Sequence, residues 1–100
     1  MIYKITDGNI VMDLRGELDI ANAENFKENC FKIANEHKLD FVIDCKDLDF
    51  IDSTALGALV SIKNKIAPYN KKVVLKNVKP NVKKLFTLTK LDKYIQIAEE

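Results

Sequence analysis

Two hydroxyl side chains follow a group of carboxylates near the middle of the chain. Ser53 and Thr54 stand where a helix is predicted to begin, and Asp52 directly precedes them. Further carboxylates lie within nine residues upstream of Ser53: Asp44, Asp47 and Asp49. A helix start offers backbone N–H donors and a favourable dipole to an anion, so it tolerates a phosphate on Ser53. Such a group carries a charge of roughly −1.5 to −2 and would make a negative surface more negative, as a phosphorylation-controlled binding switch requires.

Small side chains continue from this point along one face of the predicted helix. Ser53, Gly57 and Ser61 are spaced four residues apart, so they form a stripe with little side-chain bulk. Glycine inside a helix costs roughly 1 kcal/mol relative to alanine, so either close approach of a partner protein or tight internal packing should explain it. A broad apolar face elsewhere on the helix favours an outward stripe. That face consists of Ala55, Leu56, Leu59, Val60, Ile62 and Ile66.

The same residues also have a purely structural interpretation. A hydroxyl at a helix start is the usual N-cap, so Ser53 is interpreted here as the cap of the helix, a role that contributes roughly 1 kcal/mol and needs no functional explanation. In that interpretation the helix begins at Asp52 or Ser53, residues 46–52 form a solvated acidic loop, and the chain is a constitutive scaffold. The two interpretations differ in what a negative charge at Ser53 does to binding.

Catalytic and metal-binding chemistry has weaker support in the sequence. The four aspartates near the helix start could bind Mg²⁺, as in a metal-dependent receiver-like phospho-acceptor, since hard cations prefer oxygen ligands. Such domains need paired acids after their first parallel strand, and this chain is short for that fold. His37, the only histidine, lies sixteen positions before Ser53 on a different predicted helix, so a catalytic Ser53–His37 dyad has little support. With neither a Gly-rich phosphate loop nor a nucleophile elbow, we predict no catalytic residue, cofactor or metal site, and we do not expect an enzyme.

Composition limits the class of protein and its partners. The chain has 100 residues, a formal net charge of +1, 47% hydrophobic and 31% charged residues, which predicts one globular domain over residues 1–100. Near-neutrality gives no reason to bind nucleic acid or membrane, and the lack of a signal peptide or a long apolar run predicts a cytoplasmic protein. The charge is nevertheless uneven, because residues 1–57 hold 12 acidic and 6 basic side chains. Cys30 and Cys45 form no CxxC pair and are interpreted as buried, reduced thiols.

Hydrophobic periodicity predicts the strands that must position these residues. Asp7-Gly8 is a strong tight-turn signal and predicts that the first two strands form a hairpin. The run Phe41-Val42-Ile43 predicts a central strand buried on both faces. The predicted strands cover residues 2–6, 9–15, 39–44, 72–78 and 94–97.

Helical spacing alternates with these strands. Residues 21–38 form an amphipathic pattern with Asp19 or Asn22 as its cap, residues 53–67 form a second that stops at Pro68, and a third helix begins at Pro80. The resulting order is ββαβαβαβ. It predicts an α/β fold, in which three main helices cover a mixed, mostly parallel sheet of four to five strands.

In its motifs the chain resembles the STAS domain of the bacterial anti-sigma factor antagonist family, also called anti-anti-sigma factors. The resemblance rests on Gly-Glu-Leu-Asp at residues 16–19, Val-Ile-Asp at residues 42–44 and Asp-Ser-Thr-Ala-Leu-Gly at residues 52–57. It covers essentially the whole chain, including the order and size of the elements, and it implies the STAS fold. One position departs from the family pattern, because Ala55 stands where a glycine is common.

The resemblance implies a non-enzymatic signalling protein that regulates transcription through protein–protein interaction. Ser53 corresponds to the serine phosphorylated by an anti-sigma factor with serine kinase activity, and Thr54 is the acceptor if the register differs. The unphosphorylated protein would bind that kinase and release a sigma factor, and a PP2C-type phosphatase would reset the phosphoprotein. Asp19 and Asp52 match acids near the family serine. The implied partner-binding residues are Asp19, Asp52, Ser53, Thr54, Gly57 and Ser61.

STAS domains also occur in transporter tails and stressosome scaffolds. The resemblance therefore leaves a constitutive STAS scaffold open as an alternative to the phosphorylation switch.

Overall fold

Residues 2–98, the part of the chain described by the computed structural model, form one five-stranded sheet with three α-helices. The strands are β1 (Tyr3–Thr6), β2 (Asn9–Leu18), β3 (Asp40–Ile51), β4 (Val73–Lys76) and β5 (Gln96–Ile97). The helices are α1 (Ala23–Glu36), α2 (Ser53–Ile66) and α3 (Pro80–Leu88), with short 3₁₀ turns at Ala67–Tyr69 and Leu91–Lys93. The predicted order ββαβαβαβ is confirmed.

The strands lie side by side in the order in which they occur in the chain. β1 and β2 form the predicted antiparallel hairpin, whose turn is made by Asp7 and Gly8 at positive φ angles of 52° and 76°. The other neighbouring strands are parallel, so the sheet is mixed and mostly parallel, as predicted. The connections from β2 to β5 all step in the same direction, and right-handed crossovers therefore place all three helices on one face of the sheet.

The core lies between this face and the helices. Ile10 and Met12 of β2 and Phe41 and Ile43 of β3 are buried, whereas Val42, between the last two, is only half-buried. The prediction that β3 is buried on both faces is therefore wrong. A run of apolar residues indicates two covered faces only where helices lie on both sides, and here the second face carries none of the three helices.

The second correction concerns residues 46–52, which were predicted to form a loop. β3 continues through this segment as far as Ile51, and β2 runs three residues beyond its predicted end. The two strands stay paired because Gly16 lies opposite Leu48 and Leu18 opposite Ile51, with irregularities that absorb extra residues. Leu48 and Ile51 are buried, so this acidic stretch is fixed to the core at two points.

The helices agree with their predicted spacing and are slightly shorter at their ends. α1 begins immediately after Asn22 and buries Phe26, Cys30 and Ile33. α2 ends at Ile66, where a 3₁₀ turn containing Pro68 follows. α3 begins with a proline, which suits the first helical position because no intrahelical N–H bond is required there. None of the helices within residues 2–98 has the length and apolar character needed to span a lipid bilayer.

Both cysteines are free thiols inside the core, as predicted. Cys30 lies in α1 and Cys45 in β3, and neither is more than 1% exposed. Burial raises the pKa of each thiol to about 12, and the charge of Asp44 adds to the shift at Cys45. The thiols therefore act as small apolar side chains rather than nucleophiles.

Candidate functional site

Two chain segments meet where β2 and β3 end. Because the strands are parallel and adjacent, their carboxyl ends share an edge of the sheet, the usual place for ligand and partner sites in such folds. β2 leads into α1 through the β2–α1 loop, residues 19–22, and β3 leads into α2 through Asp52. The backbone N–H of Asp52 donates to the carbonyl of Leu18 at 3.3 Å, which joins the two segments directly.

Asp52 is the N-cap of α2. Its Oδ1 accepts the backbone N–H of Ala55 at 2.9 Å, and its Oδ2 accepts the backbone N–H of Ile20 in the β2–α1 loop at 3.0 Å. One carboxylate thus starts the helix and fixes the neighbouring loop. The interpretation in which Ser53 caps the helix is wrong, since Ser53 is already the first helical residue.

Ser53 and Thr54 are both exposed at the first turn of α2. Within residues 2–98, the Ser53 hydroxyl has no hydrogen-bond partner. The backbone N–H groups at the start of a helix have no intrahelical acceptor, so they are directed towards solvent or an incoming anion. The structure thus presents an accessible hydroxyl beside backbone donors.

His37 does not join Ser53 in a catalytic pair. His37 follows the C-terminal end of α1, where its ring contacts that of Tyr3 with centroids 6.2 Å apart. Ser53 lies near the other end of this 14-residue helix, which is about 20 Å long at 1.5 Å per residue. The serine–histidine dyad considered from the sequence is therefore not formed.

The β2–α1 loop is held by its own side chains. Asp19 Oδ1 accepts the N–H of Ala21 at 3.0 Å, and Asn22 Oδ1 accepts the N–H of Asp19 at 2.9 Å. The Asn22 amide also donates to the carbonyl of Glu17 at 2.9 Å. Asn22 thus stabilises the loop rather than capping α1 with its side chain. Ile20, at the loop tip, is 78% exposed and was not singled out from the sequence.

The stripe on α2 faces outward. Gly57 is exposed, and a Cβ added there would meet no atom within 4 Å, so tight internal packing does not explain the glycine. The Ser61 hydroxyl donates to the carbonyl of Gly57 at 2.9 Å. With Ala23 and Thr54 these residues line a shallow groove of about 340 Å³ between α1 and α2. Ala55, at the position where the family often has glycine, is fully buried, so its methyl group lies in the core and not on this surface.

The remaining aspartates are separated along β3. Asp44 accepts hydrogen bonds from the Asn77 amide at 3.1 Å and from the N–H of Lys46 at 3.0 Å. Partial burial raises the pKa of Asp44, but these bonds and the charges of Lys46 and Lys76 outweigh it, so the pKa lies below its ordinary value. The carboxylate is therefore held in its ionised form by local donors.

Asp47 and Asp49 have different partners again. Asp47 lies 3.9 Å from the guanidinium of Arg15, and Asp49 pairs with the ammonium of Lys79. No three histidine, cysteine, aspartate or glutamate side chains within residues 2–98 are grouped to hold a metal ion. The strand order also differs from the 2-1-3-4-5 order of receiver-like domains. The structure therefore does not assemble the magnesium site considered from the sequence.

Comparisons with known proteins agree with the fold and motifs. The STAS domain family model matches residues 1–100. A Thermotoga maritima protein provisionally named an anti-sigma factor antagonist is 30% identical over 96 residues, covering 95% of this chain and 85% of that protein. The anti-sigma-B factor antagonist of Bacillus subtilis is 28% identical over 95 residues, covering 95% of this chain and 86% of its own length.

Solved structures give the same assignment. A crystal structure of a provisionally named anti-sigma factor antagonist from Thermotoga maritima matches with a TM-score of 0.89 at 28% identity, over 99% of this chain and 86% of that one. The Bacillus protein SpoIIAA in its phosphorylated form has a TM-score of 0.70 at 21% identity, over 99% and 93% of the two chains, and this likeness shows the fold alone. The predicted resemblance is confirmed. The chain belongs to the STAS domain family, and its relatives described above include proteins named anti-sigma factor antagonists.

Proposed function

We propose that this protein is an anti-sigma factor antagonist controlled by phosphorylation of Ser53. In the unphosphorylated state it binds an anti-sigma factor that is also a serine kinase of the GHKL type, and the sigma factor is released. It acts in the bacterial cytoplasm as a regulator of transcription and carries out no reaction of its own. The names of its relatives support the class of function, and the geometry around Ser53 supports the switch.

The observation that carries the proposal is that Asp52, and not Ser53, caps α2. Asp52 caps the helix by accepting the N–H of Ala55, so the Ser53 hydroxyl is not needed as a cap and stays exposed. A kinase needs this arrangement in its substrate, because the hydroxyl must reach the γ-phosphate of ATP without unfolding the helix. The kinase supplies the ATP, the base and the metal. Thr54 is also exposed and remains the alternative acceptor.

A phosphate at Ser53 would change docking without destabilising the fold. Its charge of roughly −1.5 to −2 is accommodated by the N–H groups at the start of α2. It also adds to the carboxylates of Asp19 and Asp52, so a partner that docks on the neutral hydroxyl meets both bulk and charge. A PP2C-type phosphatase removes the group and restores binding.

The proposed partner surface joins the shared strand edge to the groove between α1 and α2. Gly57 leaves room for a partner backbone, because no atom of this protein lies where its Cβ would be. The surface is stiff, since Asp52 and Asn22 hold the β2–α1 loop, and a stiff surface loses little entropy on binding. Its residues are Asp19, Asp52, Ser53, Thr54, Gly57 and Ser61.

The test measures binding and phosphorylation with each anti-sigma factor kinase encoded in the source genome, purified individually. Calorimetry with one of these kinases is expected to show Ser53→Ala binding near wild type and Ser53→Asp binding at least tenfold more weakly. With ATP, mass spectrometry is expected to find phosphate on wild-type Ser53. Thr6→Asp is the matched control, because it adds the same charge to an exposed position in β1, at the hairpin.

Two outcomes contradict the switch. If phosphate is found on neither Ser53 nor Thr54, the proposed phosphorylation is contradicted. If Ser53→Asp binds with wild-type affinity, the electrostatic mechanism is contradicted and a constitutive scaffold is favoured. Loss of folding does not explain weak binding by Ser53→Asp, since an acid in the first turn is favourable to a helix. We expect its free energy of unfolding to stay within about 1 kcal/mol of wild type.

A further inference from the structure

A second groove, apolar in character, opens between the end of β3 and α3. It has a volume of about 340 Å³. Its apolar lining consists of Phe50 and Ile51 of β3 and Val82, Leu85 and Leu88 of α3. We refer to it as the β3–α3 groove. Phe50 is 49% exposed and Leu88 is 68% exposed, so two large apolar side chains are left open to water in one place.

The β3–α3 groove is fixed in place by polar contacts at one end. The Asn81 amide donates to the carbonyl of Asp49 at 2.9 Å, and the Lys79 ammonium pairs with the carboxylate of the same residue. These contacts bind the start of α3 to the last residues of β3. The groove therefore exists before any partner arrives, which lowers the entropic cost of filling it.

The rim of the groove carries one exposed cation, and α3 itself contains no acidic residue. Lys79, directly before α3, is paired with Asp49 and adds no net charge to the rim. Lys84 is exposed and lines the groove. A segment that combines an apolar side chain with acidic neighbours matches both the lining and the rim.

The groove also adjoins the proposed switch. Phe50 and Ile51 are the last two residues of β3, and the next residue is Asp52, which starts α2 beside Ser53. A partner that covers Ser53 therefore has the groove within reach of the same surface. Aromatic residues, phenylalanine among them, are enriched at protein interfaces relative to the rest of the surface.

We propose that the anti-sigma factor kinase inserts an apolar side chain from an acidic segment into the β3–α3 groove, with Phe50 and Leu88 as the apolar contacts and Lys84 as the charged one. This inference rests on the proposed function and adds a second contact region to it. The apolar contact in the groove contributes to affinity, whereas phosphorylation of Ser53 prevents the kinase from docking. Phosphate alters the charge beside α2 and leaves the groove itself unchanged.

The experiment measures the affinity of the purified kinases for groove variants by calorimetry, with circular dichroism to verify folding. Phe50→Ala and Leu88→Ala are each expected to weaken binding about tenfold, at low and high salt alike. Lys84→Glu is expected to weaken it several-fold at low salt and less at high salt, because salt screens the exposed charge. Ile5→Ala is the matched control, since Ile5 is 45% exposed on the distant strand β1.

Failure of this inference is distinct from failure of the switch. If Phe50→Ala and Leu88→Ala bind like wild type while Ser53→Asp does not, the groove assignment is overturned and the proposed function stands. If none of the kinases binds the wild-type protein, both are overturned. If sedimentation shows a wild-type dimer that Phe50→Ala dissociates, the groove binds a second copy of this chain instead of the kinase.

Discussion

The carboxylate of Asp52 bridges the backbone N–H of Ile20, at 3.0 Å, and the N–H of Ala55, at 2.9 Å. The residue directly before the proposed phosphorylation site therefore holds the start of α2 and the β2–α1 loop at the same time. Because the two segments share one carboxylate, a change at Asp52 removes a contact from both of them.

Substitutions of Asp52 separate its two roles. Asp52→Ala removes both bonds and is expected to lower the free energy of unfolding by about 1–2 kcal/mol, as loss of a helix cap does. Asp52→Asn keeps a capping oxygen for Ala55 but presents an N–H₂ group to Ile20, so it should cost less than half as much. Urea denaturation measures both, and amide exchange should be faster at Ile20 in the asparagine variant. Equal losses in the two variants would contradict this division of roles.

Position 16 requires glycine because of the backbone conformation of β2 and not because a side chain would clash there. The φ angle of Gly16 is +71°, and a Cβ added there would meet no atom within 4 Å. Gly16→Ala is therefore expected to destabilise the protein by about 1–2 kcal/mol through backbone strain alone. Thermal unfolding measures the loss. An alanine variant as stable as wild type would show that the bulged pairing of β2 with β3 tolerates another conformation.

Replacing Gly57 by alanine should stabilise the protein, in contrast to the same change at Gly16. Gly57 lies in α2 with open space around it, so Gly57→Ala should raise the free energy of unfolding by up to about 1 kcal/mol. If a partner backbone approaches there, the added methyl group should weaken kinase binding at least several-fold. Urea denaturation and calorimetry on one preparation measure the two effects. Higher stability with unchanged affinity would remove Gly57 from the partner surface.

The sequence was sufficient for features that depend on neighbouring residues. The turn at Asp7-Gly8 and the start of α2 after Asp52 are determined by local backbone chemistry, and both were predicted. The continuation of β3 to Ile51 was missed, because its acidic composition resembles a loop. Only pairing with β2, more than thirty residues earlier in the chain, makes it a strand.

Surface features formed by distant segments were also missed. Ile20 and Phe50 are ordinary apolar residues in the sequence, and nothing local indicates that each remains exposed. The β3–α3 groove requires Phe50 to face a helix that begins thirty residues later, so it depends on the placement of α3. Ser53 was predicted in part. Its position at the helix start was predicted, but the sequence did not show that Asp52 caps the helix in its place.

The two thiols offer a measure of how rarely the core opens. With the pKa of Cys30 and Cys45 raised to about 12 by burial, roughly one thiol in ten thousand is ionised at pH 8. The native protein should therefore react with a disulfide reagent such as DTNB over hours, and the denatured protein should release two equivalents within seconds. Rapid native reaction of either thiol would show that α1 or β3 opens locally.

Acid should weaken the contact between Asp44 of β3 and Asn77, the residue directly after β4. Because Asn77 and Lys46 hold the pKa of Asp44 below its ordinary value, the ionised carboxylate binds its partners better when the protein is folded. The resulting stabilisation is fully present above about pH 4, near the unfolded pKa, and it is lost as pH falls through the lower, folded pKa. Asp44→Asn is expected to be less stable than wild type at pH 7, by less than about 1 kcal/mol because the site is partly exposed. That difference should diminish as pH falls through the lowered, folded pKa of Asp44.

Asn77→Gly tests the same contact from the other side. Asn77 has a φ angle of 58°, which glycine adopts freely, so this variant removes the amide donor without straining the backbone. Its loss of stability should show the same dependence on pH as that of Asp44→Asn, and the double variant should lose less than the sum of the two. Urea denaturation of all four proteins between pH 2 and pH 7 measures this coupling. A stability difference that is constant over that range would mean that the charge of Asp44 plays no part in the contact.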